Sequence, residues 1–582
     1  MSSKKWFFMF ILCALITFGG IMAFNVITDP FGVFGDHFFN WYSYDMTQNP
    51  RVAKVAYIDK EHKKYDSYII GCSSTSSYPV TMLNKYTGDN FYNMIMYGAD
   101  IYDSTETAKY LIDNYEVKNM FLAVYLSNAI QYNYEADKLL GNLHGKIDGT
   151  PLIDFYTKYL FLRPHYGIEK IKAKMEDSYL QNKNDVFNVE TGVYDKTKRD
   201  IEPIGSLEDY FKTYPVFTSY PYMKIDSLPE IENCLNSIQE LKEICDSKGI
   251  NFKVILTPLY IDYAKYYSQE DIDLFKVRLA EVTDFWDFSL SSVSTEPRYF
   301  YDEAHFRNCV GEMALARIYN DKNVYVPKDF GVYITKENVE NNLVKYDSLT
   351  FNDTSYTRKV PILMYGKIND VSLLESQVKK LIQAGYKFIT FEEMKKYVEG
   401  NGEIPEKVVV LALDKDNIGT IGQIQKILKE NGATATLFTS YRDIENSKID
   451  NGGYFQKSIK AIDKDVIDIQ LKCDEMLYKD ENKFINELRG KISDFSNCVG
   501  NDARVLWYRN EKFDELTEVV SREEGIIFSL CDTYGVNTLV KGMDQSLRGM
   551  KYIKANEKSD VLELVKYWQF VQITYNGYGN QT

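Results

Sequence analysis

The chain has 582 residues and a formal net charge of −15. That length exceeds what one hydrophobic core organises, and the charge opposes nucleic acid, whose phosphates call for clustered Lys and Arg. Apolar residues make up 45% and charged residues 26%, which is the makeup of globular protein and not of a disordered chain. The eight cysteines are scattered with no C-x-x-C pair, so neither a disulfide framework nor a cysteine-built zinc site is expected. The 47 tyrosines and 33 phenylalanines suit sugar-facing surfaces and packed cores alike, and decide nothing alone.

In chain order, Lys4 and Lys5 precede residues 6–27, a run of 22 without a charged side chain. At about 1.5 Å per helical residue this run crosses a hydrocarbon core of roughly 30 Å. The lysines before it, with Asp29 and Asp36 after it, place the N-terminus in the cytoplasm. Residues 1–27 are therefore expected to be a cytoplasmic stub and single-pass signal anchor in the cell membrane, with the bulk extracellular. A cleaved signal peptide is the alternative; its apolar region is usually shorter, and no clear small-x-small site follows.

From about residue 65 strands and helices alternate. Strands are expected at 67–70, 120–125 and 252–256, and helices at 104–115 and 230–247. In the last of these Ile231, Leu235, Ile238, Leu241 and Ile244 share one face, and Lys248-Gly249 closes it. This rhythm predicts a mainly parallel sheet with helices on both faces. Residues 132–226 interrupt it, rich in Tyr and Phe, and are expected to cap the site. A polar, poorly periodic linker is placed at 331–357. Strand and helix signals then restart: a strand at 361–365, a capping box at Ser372-Leu373-Leu374-Glu375, and another at Thr390-Phe391-Glu392-Glu393 closed by Gly400. A buried strand at 408–413 follows, and then a helix carrying Ile421, Ile424, Ile427 and Leu428 that stops at Asn431-Gly432.

Histidine is informative because it is scarce. The chain has five, and none follows His305. In Tyr301-Asp302-Glu303-Ala304-His305-Phe306 an aspartate stands three positions before the imidazole. A catalytic histidine needs a group that fixes its tautomer and a nucleophile to deprotonate. Gly71-Cys72-Ser73-Ser74-Thr75, directly after an apolar run, offers that nucleophile at a strand end, where backbone N–H groups can face an oxyanion. The expected triad is Ser73, His305 and Asp302, with Ser74 as rival nucleophile and Cys72 as a buried small residue. The plainer reading has Ser73 ending a strand and His305 in a satisfied core network. His37, His62, His144 and His165 are read as packing or surface residues.

These blocks resemble the SGNH (GDSL-like) hydrolase superfamily over roughly residues 28–325, within it the membrane-anchored branch that handles acyl groups on bacterial surface polymers. The resemblance implies Ser73 as nucleophile, His305 as base, Asp302 as its orienting partner and Gly98 as an oxyanion contact. Trp286-Asp287-Phe288 looks like that superfamily's final strand. Its Gly-x-Asn-Asp block is missing; Tyr125-Leu126-Ser127-Asn128 is the nearest fit, which makes Asn128 the candidate second oxyanion donor.

A second resemblance begins at Val360-Pro361-Ile362-Leu363-Met364-Tyr365. It continues through residues 384–390, 405–411 and 432–438. Together these look like the polysaccharide deacetylase (NodB homology) family over about residues 358–580. The family's Asp-Asp pair falls on Asp414-Lys415, its His-x-x-x-His pair near Lys472 and Met476, and its Tyr-Pro motif on Tyr508-Arg509-Asn510. Zinc in such a site wants imidazole and carboxylate ligands, so no metal and no cofactor is expected. Asp414 and Asp416 remain as oxygen donors for a hard cation, and Asp474 and Glu475 read as a solvated face.

The expected fold class is α/β: an N-terminal transmembrane helix, an SGNH-like three-layer α/β/α domain at 28–330, and a degenerate NodB-like variant (β/α) barrel at 358–582. The function these readings imply is a membrane-anchored carbohydrate esterase or O-acetyltransferase acting on a cell-surface or exopolysaccharide, with the barrel binding or scaffolding glycan. A membrane acetyl-donor system is a further partner the resemblance implies. The alternatives are a non-catalytic polysaccharide assembly protein and a divergent deacetylase.

Overall fold

The protein is described by a computed structural model covering residues 3–126, 139–176, 178–183, 186–219, 231–444, 454–473, 480–508 and 513–575. The chain forms two compact units: one of residues 1–196, 216–321 and 326–351, the other of 197–215, 322–325 and 352–582.

The first unit begins with the helix Ser3–Thr28, apolar and long enough to cross a membrane. Its sheet contains β1 (Ser67–Gly71), β2 (Phe91–Ile95), β3 (Asn119–Val124), β6 (Asn251–Leu256), β7 (Phe285–Asp287) and β8 (Val332–Ile334); β4 (Val186–Phe187) and β5 (Tyr194–Asp195) form a separate ribbon. The order is β2-β1-β3-β6-β7-β8, parallel except for β8, which runs against β7. β1, β2 and β3 are buried along their whole length, as near-continuous apolar strands covered on both faces must be. The chain leaves β1 toward one side and returns as β3 on the other, so the crevice above their carboxyl ends is the switch point of the sheet.

Two of the stretches set apart by composition carry elements of their own. The polar stretch 331–357, expected as the linker, contains β8. Tyr346 also donates its hydroxyl to the Ala264 carbonyl at 2.8 Å, and its amide to Gln269. The interruption at 132–226 holds short helices and the β4–β5 ribbon, and its residues 197–215 fold with the second unit, where Gln545 donates to Asp200.

The second unit is a closed barrel. β10 (Ile362–Tyr365), β12 (Val408–Asp414), β13 (Ala435–Ser440), β14 (Ile467–Cys473), β15 (Val505–Tyr508), β16 (Phe528–Tyr534) and β18 (Met550–Ala555) pair in parallel in a ring, and β10 with β12 closes it. β11 (Lys387–Phe388) adds to β12, and β9 (Thr357–Val360) pairs antiparallel with β17 (Asn537–Val540). The period of two is visible in the core: Val408, Val410 and Ala412, Val505 and Trp507, Phe528 and Leu530, and Met550 and Tyr552 fall in one cluster. The capping box at Thr390 and Glu393 is formed. That at Ser372 is not. Asp370 caps the helix Val371–Gln383 two residues earlier, because its carboxylate reaches the Ser372 amide at 3.0 Å and the Ser372 hydroxyl as well.

Just beyond the N-terminal helix, Asp29, Asp36 and Asp45 surround the ammonium of Lys170, all fully buried. Lys170 Nζ lies 2.7 Å from Asp36 and 2.6 Å from Asp45, and donates to the Asp29 carbonyl. Three carboxyls share one cation, so not all can ionise cheaply. Burial pushes Asp29 up to about 6 and Asp45 well above the ordinary range, despite Lys170. A carboxyl that ionises near 6 when folded and near 3.8 when unfolded weakens the fold above that window. The penalty fades as pH falls through it. Asp29→Asn keeps an acceptor for the Phe34 and Asp36 amides and removes the charge. It is expected to be more stable than the parent at neutral pH by about 3 kcal/mol, in thermal melts of the full chain in detergent, with the gap closing toward pH 4. Equal melting at both extremes would contradict the buried-charge account.

Candidate functional site

The site is built on the turn that leaves β1. At Gly71 an added Cβ would lie 2.4 Å from the Ala123 carbonyl oxygen of β3 and 2.4 Å from Thr75 Oγ1, so only glycine lets the chain turn there. The turn then winds into a short 3₁₀ helix, Ser73–Ser77. Ser73 is half-buried, whereas Ser74, Thr75, Ser76 and Ser77 are buried. Ser74 Oγ sits 3.2 Å from Cys72 Sγ, inside the fold. Of the two candidate nucleophiles, Ser73 has the accessible hydroxyl.

The imidazole comes from the opposite end of the unit's sequence. Ser73 Oγ is 2.8 Å from His305 Nε2, and His305 Nδ1 is 2.8 Å and 2.9 Å from the two Asp302 oxygens. Asp302 Oδ1 also accepts the amides of Ala304 and His305. Burial alone would raise the Asp302 carboxyl; the imidazole and these two amides outweigh it and hold the group below its usual range. Asp302 thus stays ionised and fixes the ring with Nδ1–H toward itself and Nε2 toward Ser73.

Three contacts hold the loop against the turn. Tyr301 donates its amide to the His305 carbonyl at 2.8 Å, closing the loop on itself. Ser77 Oγ donates to the Phe306 carbonyl at 2.6 Å, and Lys196 donates to Ser77 Oγ. The helix Asn308–Tyr319 then packs on the turn so closely that a Cβ on Gly311 would stand 1.8 Å from the Ser77 carbonyl oxygen. Gly98, in the loop after β2, has φ +58 and open space where a side chain would stand. Asn128 lies outside the described residues. Trp286 and Asp287 lie in β7, where Asp287 pairs with Lys276 and joins no triad contact. His144 is buried, its imidazole held neutral with a pKa of about 4 by that burial, and it accepts the Lys146 amide. Beside the Asp302–His305 loop is a cavity of about 190 Å³, lined by Phe217, Tyr260, Tyr266, Asp262, Lys265 and Glu303 among others.

In the barrel, the strand period aims Asp414, Lys472, Trp507, Asp532 and Tyr552 inward near the carboxyl ends. Lys472 Nζ is 2.7 Å from Asp414 Oδ2 and 4.2 Å from the Trp507 ring centre. Asp532 accepts from Trp507 Nε1 at 3.0 Å and from the Tyr552 hydroxyl at 2.9 Å. Asp414 Oδ1 is buried without a hydrogen-bond partner among the described residues. Trp507, Asp532 and Tyr552 were not expected from sequence; extending the inward alternation along β15, β16 and β18 would have found them. Asp416 is exposed, and Tyr508 turns to the buried Glu518. Asp474, Glu475, Met476, Arg509 and Asn510 lie outside the described residues.

No protein-family model matches the chain, and no curated protein matches it. Solved structures do, and several of them are deacetylases by name. These include the Streptococcus pyogenes deacetylase PplD in complex with acetate (18% identity, 36% of this chain, 98% of that chain, TM-score 0.31). IcaB from Ammonifex degensii is similar at 15% identity, over 36% of this chain and 97% of that chain, with a TM-score of 0.28. The BpsB deacetylase domain from Bordetella bronchiseptica follows at 10% identity, over 36% of this chain and 98% of that chain, with a TM-score of 0.27. These likenesses span about a third of the chain; the barrel described above stands on its own strand pairings.

The zinc that the deacetylase resemblance implies does not fit this donor set. No histidine follows position 305, and the ammonium of Lys472 already occupies the carboxylate at Asp414.

Two substitutions separate the rival serines. Ser73→Ala is expected to abolish labelling of the full chain by a fluorophosphonate probe, and Ser74→Ala to retain it. Asp302→Asn should slow labelling by about 10³–10⁴-fold, the size expected when an orienting carboxylate is lost. Equal labelling of the Ser73→Ala variant and the parent would remove Ser73 from the site.

Proposed function

We propose that the first unit is a membrane-anchored, extracytoplasmic serine acyl-transfer enzyme, an esterase or O-acetyltransferase acting on a bacterial surface polysaccharide. The observation that carries this reading is the continuous chain of short contacts from Ser73 through His305 to Asp302. Ser73 Oγ attacks the ester carbonyl while His305 Nε2 takes its proton, and Asp302 stabilises the imidazolium that forms. The carbonyl carbon becomes tetrahedral, and its oxyanion turns toward backbone amides at the start of the 73–77 turn and toward the open loop at Gly98. Collapse expels the alcohol, which takes the proton back from His305, and leaves an acyl-serine. A sugar hydroxyl or water then gives its proton to His305 and attacks the acyl carbon, and the acyl–Oγ bond breaks as Ser73 Oγ takes that proton back from His305. The aromatic cavity beside the loop supports a carbohydrate partner, since rings at its wall suit a sugar face and Asp262, Lys265 and Glu303 suit its hydroxyls.

The barrel is read as a glycan-binding unit without zinc chemistry. Trp507 and Tyr552 supply stacking surfaces, and the unpartnered Asp414 oxygen is an acceptor for a sugar hydroxyl. Lys472 takes the place a metal would need. A non-catalytic assembly role for both units is the rival reading; an ordered Ser–His–Asp relay with an accessible hydroxyl favours the enzyme.

Ser73→Ala is expected to abolish acetyl transfer to, or release from, the native polysaccharide, read as the polymer's acetyl content in cells carrying each variant. Unchanged content would sink the assignment. The full chain dialysed against zinc should retain substoichiometric metal, and Trp507→Ala should weaken oligosaccharide binding several-fold in calorimetry. Stoichiometric zinc with N-deacetylation of a chitooligosaccharide would overturn the metal-free reading of the barrel.

A further inference from the structure

The helices Leu152–Leu160 and His165–Met175 carry apolar side chains on two sides. Their inner side is spent: Phe155 and Tyr159 pack with Phe31, Val33 and Val52 in a closed cluster. On the outside, Ile153 is 76% exposed and Met175 82%, with Leu152, Phe161 and Ile168 between 44% and 47%. A helical pair with an apolar surface left over after its core is filled needs a second covering.

The place of this pair against the N-terminal helix identifies the covering. Asn25 donates from its side chain to the Leu160 and Leu162 carbonyls, both at 2.9 Å, tying the connection between the two helices to that helix. At Gly167 a Cβ would stand 2.6 Å from both the Phe24 ring and Thr28 Oγ1, so the second helix lies directly on its end. Lys170, on that second helix, is locked by Asp36 and Asp45, which prevents it from swinging away. Phe161 meets Phe18 edge-on, ring centres 6.1 Å apart. Phe18 lies ten residues before the end of the N-terminal helix, about 15 Å along its axis. A side chain that touches Phe18 reaches the depth of the acyl chains wherever that helix spans a bilayer. Exposed Lys158, Arg163, Lys172 and Lys174 are interleaved with the apolar positions and suit the headgroup layer above them.

We propose that the hairpin of helices Leu152–Leu160 and His165–Met175 is seated in the outer leaflet of the membrane, its exposed apolar face in contact with lipid. It rests on the reading of the N-terminal helix as a membrane anchor. The first unit is then held on the bilayer by two elements and does not swing on a single tether, which keeps an acyl-transfer site at a fixed height above the surface.

The test uses the full chain reconstituted in vesicles of phosphatidylethanolamine and phosphatidylglycerol. The photocrosslinker p-benzoylphenylalanine replaces, one at a time, Ile153, Phe161, Met175, Leu12 in the N-terminal helix, and Tyr333 on β8. Mass spectrometry then reads lipid adducts. Adduct yields at 153, 161 and 175 are expected to match that at 12 and to exceed that at 333 several-fold. Adducts at 12 but not at 153, 161 and 175 would overturn the seated hairpin and leave the anchor standing. Protein adducts in place of lipid at those three positions would overturn it in favour of a covering partner chain. No lipid adduct at 12 would remove the anchor and the hairpin together.

Discussion

The structure of the first unit depends on a steric constraint at the turn after β1. Residues 71–77 are clamped between two backbones, the β3 carbonyl at Ala123 on one side and the helix Asn308–Tyr319 on the other. At both contacts a single methyl group would not fit, and both positions are glycine, Gly71 and Gly311. This clamp, and not a flexible loop, sets where the Ser73 hydroxyl points. It also brings in the residues just before Gly311, so the imidazole of His305 arrives as part of the same packing event. Ser77 joins the two pieces, accepting from Lys196 and donating to Phe306. The hydrogen bond from Ser73 to His305 is thus a consequence of backbone packing, which makes its geometry pre-organised rather than induced.

The barrel solves a different problem with a charge. Closed parallel barrels gather side chains from many strands at their carboxyl ends, where the strand period turns every second residue inward. In this one, β12 and β14 bring Asp414 and Lys472 together, and a buried ammonium neutralises a carboxylate. A pair of this kind is costly to break, since removing either partner leaves the other charge without compensation. The aromatic and acidic groups beside it, Trp507, Tyr552 and Asp532, are bonded to one another and present a stiff surface rather than an open coordination sphere.

The buried cluster after the N-terminal helix uses the same device with the balance reversed. There one lysine serves three aspartates, and burial holds the Asp29 and Asp45 carboxyls above their ordinary range. The cluster fastens the helix His165–Met175 to the chain as it leaves the apolar segment. It therefore stiffens the region where the rest of the first unit meets the N-terminal apolar helix.

Much of this was legible in the residues. The apolar run at 6–27, the strands at 67–70, 120–125, 252–256, 361–365 and 408–413, the capping box at Thr390 and the spacing of Asp302 and His305 depend on local pattern, and local pattern is what a sequence displays. Where two local signals competed, as Asp370 and Ser372 did for one helix start, the nearer carboxylate won. The preference for Ser73 over Ser74 came from the place of the Gly71-Cys72-Ser73 block, and what separates the adjacent hydroxyls physically is that the fold buries Ser74 and leaves Ser73 half-buried. β8 was not legible, because its three residues become a strand by adding to the edge that β7 offers, nor was the mouth of the barrel. The sequence by itself determined which chemistry is available: an aspartate three positions before an imidazole at 305, and no histidine beyond it. Only the tertiary structure decided which groups meet, because contacts across more than two hundred residues are set by strand order and by the close approach of backbones.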